Sequence, residues 1–188
     1  MRRSWWVVAA SLASSVAMAE ESTPPASVNA PASEEDREHK VAVTFSPIHL
    51  FMPIFEVTGE FRAANKIGLA AVVGVGSVND VAVVETGGQF RFYPIGNFNH
   101  GMQLGAEIQY VFATASSGDI FAVAGGLSAG PFIGYKIATN VGFTFEAQAG
   151  VAVNTVNASA SGSGVSTSST TSSVGPLLNL NIGWSFGR

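Results

Sequence analysis

The 188-residue chain has no cysteine, few charges and no long apolar run. Without cysteine there are no disulfides and no thiolate metal sites, so the fold rests on non-covalent contacts. Charged residues make up 12% of the chain against 47% hydrophobic, about half the charged share usual for a soluble domain. Yet no apolar stretch reaches the ~18 to 20 residues that a membrane-spanning helix requires. A chain that is apolar in total but not in runs must spread its hydrophobicity by alternation, which is a strand pattern.

Charge of neither sign dominates the body of the chain. The formal net charge is −4, but six acids (Glu20, Glu21, Glu34, Glu35, Asp36, Glu38) precede Lys40, and six basic and seven acidic groups follow from there. The acidity belongs to the N-terminal stretch, and there is no basic patch for a nucleic acid. Residues 1–19, MRRSWWVVAASLASSVAMA, join a basic start, an apolar stretch and small residues before a cut between Ala19 and Glu20, as in a secretory signal. Residues 20–39 are rich in Pro, Ala, Ser and Glu. They bury too little to offset the entropy of ordering, which predicts a disordered linker.

From residue 40 to 188 the period is two. In 54–62 Phe55, Val57 and Phe61 oppose Glu56, Thr58, Glu60 and Arg62; in 81–93 Val84, Phe90 and Phe92 oppose Glu85, Gln89, Arg91 and Tyr93. The same pattern runs through 66–76, 102–112, 127–137, 141–153 and 178–186, and a shorter strand around 41–46 makes eight. No apolar face carries a charge. Repeated alternation over about ten residues predicts an all-β, eight-stranded antiparallel up-and-down transmembrane barrel. A soluble lipocalin-like barrel would place the apolar face inside. Here the bulky face is apolar and the other is Gly, Gln, Asn and single charges, which suits a narrow lumen.

Aromatic residues cluster near the strand ends. Phe61, Phe92, Tyr135, Phe143, Trp184 and Phe186 are expected to form a periplasmic girdle, and Phe45, Phe55, Tyr110, Phe112 and Phe121 an outer one. The links after the second, fourth and sixth strands (63–65, 94–101 and 138–140) read as periplasmic turns, and residues 154–173 as a long external Ser/Thr loop. Pro131 cannot donate to a ladder and predicts a bulge in a barrel without free edges.

The last strand, with Asn179, Trp184 and Phe186, is similar to the C-terminal assembly signal of outer-membrane barrels, although Asn181 stands where glycine is usual and Gly187-Arg188 follow. With the signal, the alternation and the girdles, residues 40–188 resemble the small outer-membrane β-barrel family typified by the OmpA transmembrane domain. The resemblance implies a protein of the outer membrane, with the lipid bilayer and lipopolysaccharide as surroundings and the assembly machinery engaging the last strand. It implies architecture more than activity.

The inward ionisable residues are Glu56, Glu60, Arg62, Glu85, Arg91, Glu107, Lys136 and Glu146. Eight strands leave an interior that side chains nearly fill, so these groups are expected to pair as a polar plug, with Glu60, Glu107 and Glu146 facing Arg62, Arg91 and Lys136. The expected function is therefore non-enzymatic, structural or surface-presenting, with neither cofactor nor metal. The alternative is a channel for small or hydrophobic solutes. A remoter one is a lipid A-modifying barrel, for which His49, Ser77 and Asp80 would supply a base, a hydroxyl and an orienting carboxylate in outer links. His39 and His100 fall in the tail and in a periplasmic turn. Asn157-Ala158-Ser159 matches a glycosylation acceptor by coincidence of a Ser-rich stretch.

Overall fold

The computed structural model describes residues 39–78, 81–117, 120–162 and 165–187. The expected signal sequence, its expected cut between Ala19 and Glu20, residues 20–38, Asp80 and Arg188 lie outside them. Eight strands follow in order: β1 Val41–Phe45, β2 Ile54–Ala64, β3 Ile67–Val78, β4 Val81–Gly96, β5 His100–Ser117, β6 Ile120–Ala138, β7 Phe143–Gly162 and β8 Val165–Phe186. Each pairs antiparallel with the next, and β1 closes the ring on β8 through Val41↔Phe186 to Phe45↔Ile182. The fold is an eight-stranded, up-and-down antiparallel barrel.

Alternation decides which side chain goes where. Along β2, Phe55 and Phe61 are 52% and 55% exposed while Glu56 and Glu60 are each 2% exposed. The same division runs round the ring, with Leu69, Val84, Ile108, Ile133, Val151 and Leu178 outside and Val72, Arg91, Gln103, Lys136, Glu146 and Asn181 inside. On the described strands no charged side chain is exposed on the outer face. The aromatic side chains expected at the girdles face outward: Phe61, Phe92, Tyr135, Phe143, Trp184 and Phe186 are exposed, as are Phe55, Tyr110, Phe112 and Phe121, while Phe45 is half-buried and stacks on Phe55 at 6.4 Å. Phe143 and Trp184 meet edge to face at 5.8 Å, and the Trp184 indole, on β8, donates at 2.9 Å to Val141 O in the β6–β7 turn.

Strand length climbs round the ring, from 5 residues in β1 and 11 in β2 to 20 in β7 and 22 in β8. The wall is thus low at β1–β3 and tall at β5–β8. This corrects the expected loop at 154–173, because those residues continue the β7–β8 ladder from Asn154↔Ser173 to Gly162↔Val165. Serine and threonine hydroxyls sustain the pairing across the strands, as in Thr155–Ser172 at 3.2 Å and Thr170 to Asn157 at 2.7 Å. A Ser/Thr run is polar enough for a loop, but β-branched threonine also favours strand.

The proline expectation is corrected as well. The β6–β7 ladder passes from Ala129↔Val153 to Phe132↔Gly150 in unchanged register, so Pro131 makes no bulge. The register shifts instead between Arg62 and Ala64 on β2–β3, and a bulge falls at Tyr93-Pro94, where β4–β5 register moves between Phe92↔Leu104 and Ile95↔Met102. There the extra residue absorbs the missing N–H. The turn that follows is shorter than residues 94–101 and is entered at Gly96 with φ +83°. Gly142, with φ +98°, plays the same part between β6 and β7.

Candidate functional site in the barrel interior

Inside the short-turn half of the barrel, Glu60 from β2 is the centre of a charged network. Its Oε2 accepts from Arg91 Nη1 at 2.8 Å and from Lys136 Nζ at 2.6 Å, and its Oε1 accepts from the Tyr93 hydroxyl at 2.6 Å. Arg91 Nη1 also reaches Glu146 Oε2 at 2.7 Å. Two cations therefore meet two carboxylates, and all four are almost fully buried. Neutral amides complete the set. Gln103 donates to Tyr93 and to Glu146 at 3.1 Å, Gln148 to Gln103 at 2.9 Å and to Glu146 at 3.0 Å, and Asn181 to Glu146 at 3.2 Å. Arg91 Nε is held by Gln89 Oε1 at 2.8 Å. With net charge near zero and its donors used, the network escapes the cost of unpaired buried charge.

The end of the barrel below this network is closed by residues from a turn. Phe98, in the β4–β5 link, folds inward until it is 1% exposed and packs against Tyr93 at 6.1 Å between ring centroids. The Lys136 ammonium lies 3.6 Å from the centre of the Phe98 ring, a cation–π contact that caps its remaining side. His39 is not tail: it is 4% exposed, and its backbone N–H donates to Asn99 Oδ1 at 2.9 Å.

Further up, the interior is obstructed by an apolar layer of Phe132, Ala152 and Leu177. The packing follows the strand register. Across β2 to β8 one row reads Arg62, Gly68, Arg91, Gly105, Phe132, Gly150 and Leu177, so every large side chain has glycine on its flank. A Cβ at Gly105 would strike the Phe132 ring, and one at Gly68 would strike Glu60 Oε1. Alternating large and small residues is how a narrow barrel is filled.

Across the lumen from the apolar cluster the chemistry changes sign. Glu56, Glu85 and Glu107 are 2%, 6% and 6% exposed, and His49 comes down on them from a single 3-10 turn, His49–Phe51, that links β1 to β2. His49 Nδ1 is 3.2 Å from Glu56 Oε2, an ion-pair distance. The Glu56 carboxylate raises the pKa of the imidazole, against the opposing effect of burial. Gln109 donates to Glu56 at 3.3 Å, and Glu107 accepts from Gln89 and from Asn179 at 2.9 Å. No Lys or Arg is hydrogen-bonded to these three carboxylates among the described residues. Beside them is a cavity of about 300 Å³ whose lining includes His49, Glu107, Gln109, Leu177 and Asn179.

No family model matches the chain, and no curated protein or solved structure is significantly similar to it.

The candidate residues thus fall into two groups rather than one. Glu60, Arg91, Lys136 and Glu146 meet directly, and Glu107 joins them through Gln89. Glu56 and Glu85 stand apart with His49, and Arg62 is half-buried near the short-turn end. Of the residues weighed for acyl transfer, His49 turns to Glu56, Ser77 is part of β3, and Asp80 lies outside the described residues. Sequence reasoning missed Gln89, Tyr93, Gln103, Gln148, Asn179 and Asn181 as network members, although each sits on an inward position of its strand. It had no signal for Phe98, a turn residue.

Proposed function

We propose that this protein is an exported, outer-membrane-type barrel with a closed lumen, non-enzymatic, whose work is structural or the presentation of its tall wall. The observation that carries the reading is the belt of exposed apolar side chains round the whole ring, free of charge on every described strand. Water would not tolerate so large an apolar surface on a monomer, whereas hydrocarbon demands it, since each Arg or Lys at mid-bilayer costs ~2–4 kcal/mol. A bilayer is crossed by about 9–11 tilted strand residues. The 18 to 22 residues of β5 to β8 therefore leave a polar Ser/Thr hairpin region standing clear of the lipid.

On this reading the short-turn end faces the periplasm, the tall wall stands among lipopolysaccharide, and Trp184 and Phe186 at the end of β8 engage the assembly machinery. The interior network and the Phe132 layer support a closed lumen over a conducting one. Cell fractionation combined with gel mobility of boiled and unboiled samples tests the reading. A chain in the outer-membrane fraction whose mobility shifts on boiling is expected; a chain in the aqueous phase with no shift overturns it. Stepwise conductance of the wild-type protein in planar bilayers would replace the closed lumen with the channel reading.

A further inference from the structure

We propose that His49, Glu56 and Glu85 form a binding site for a divalent transition-metal ion of the zinc type inside the barrel. Each of the three offers one ligand atom, and these atoms lie within 4.8 Å of one another. Ligands at 2.0–2.2 Å on a tetrahedral ion stand about 3.4 Å apart. The 3.2 Å between His49 Nδ1 and Glu56 Oε2 is close to that spacing.

The register explains why the two carboxylates meet. Glu56 on β2 and Glu85 on β4 are both level with Gly74 on the intervening β3. A Cβ at Gly74 would collide with Glu85 Oε1 and stand 2.5 Å from Glu85 Cγ, so only glycine leaves room for Glu85 to lean toward Glu56. The sequence thus brings like charges together where an alanine would part them.

What asks for a ligand is Glu85 itself. Its side chain is buried, 6% exposed, and its Oε1 is sealed from solvent with no hydrogen-bond partner. The His49 Nδ1 beside it faces the Glu56 carboxylate at 3.2 Å. An uncompensated buried carboxylate is costly, and the network below shows this chain balancing carboxylates with Arg91 and Lys136 where it needs to. A divalent ion would do the same here, neutralising Glu56 and Glu85 and taking the imidazole lone pair. The mixed nitrogen and oxygen set selects the class of ion: imidazole suits zinc and its neighbours, whereas calcium and magnesium prefer oxygen alone. Glu107, on the neighbouring β5, would remain with its Gln89 and Asn179 donors as a nearby negative charge.

The test uses the full chain folded in detergent micelles, stripped with a chelator and titrated with Zn²⁺ by calorimetry. One saturable site is expected, weakened at least tenfold in Glu85→Gln and in His49→Ala, unchanged in His100→Ala and not displaced by excess Ca²⁺. Boiled and unboiled gel mobility establishes that each variant is folded. Should His49→Ala not fold, His49→Asn replaces it, and the absorption of Co²⁺ bound to the wild type reports the imidazole ligand. Absence of saturable binding overturns the proposal. So does an affinity indifferent to both substitutions, which would put the ion on the acidic N-terminal stretch, and so does displacement by Ca²⁺, which would remove His49 from the ligand set.

Discussion

Glu60 and Lys136 meet inside the barrel with Nζ 2.6 Å from Oε2, although 76 residues separate them along the chain. The same carboxylate holds Arg91 and Tyr93, so its removal leaves the buried Lys136 without a carboxylate and Arg91 with Glu146 alone. Glu60→Gln is expected to destabilise the barrel by about 3–5 kcal/mol, the usual result of breaking a buried pair from one side. Equilibrium urea unfolding of the variant in lipid measures it, and a change under 1 kcal/mol would mean that the network contributes little.

The outer surface is expected to respond to charge by height. Ile108, 54% exposed on the outside of β5, lies in the belt, whereas Ser159 lies on the part of β7 that extends beyond β1–β3. Ile108→Arg should cost ~2–4 kcal/mol of folding in a bilayer, and Ser159→Arg close to nothing. Equal costs would show that the bilayer does not surround the ring where the belt implies.

The tall wall should be dispensable for folding. Ala158 pairs with Ser169, so replacing residues 159–168 by Asn-Gly leaves a two-residue hairpin turn of a favoured type. No member of the interior network comes from that stretch. The shortened protein is expected to keep the boiling-dependent mobility shift and to lose only what the wall presents.

Opening the lumen should need two changes. The Phe132 layer and the Arg91 network obstruct different heights of the interior. Phe132→Ala alone is expected to leave planar bilayers silent, and Phe132→Ala with Arg91→Ala to give small conductance steps. Steps from the single variant would show that the charged network is permeable.

Much of this could be read from the chain before any fold was known, because a period of two assigns faces without reference to partners. That is why the inward position of Glu60, Arg91 and Glu146, and the outward position of Trp184 and Phe186, followed from alternation alone. Contacts did not follow, since they depend on which residue of a neighbouring strand stands level with which. Glu56 and Glu85 meet only because both are level with Gly74. Phe98 enters the lumen from a turn, where no period applies, and the Ser/Thr stretch of β7–β8 has polar residues on both faces and so shows no alternation to read.

The row from Arg62 to Leu177 also solves a problem that alternation leaves open. A strand that slips by two residues keeps every side chain on its own face, so hydrophobic patterning alone does not forbid the error. Size does. With β6 displaced by two along β5, Phe132 would stand level with Gln103 or Glu107 instead of Gly105, and with β5 displaced along β4 so would Arg91. Large would meet large in a space that admits one of them. The glycines of the lumen are therefore a spelling of strand register, legible to the folding chain through volume alone.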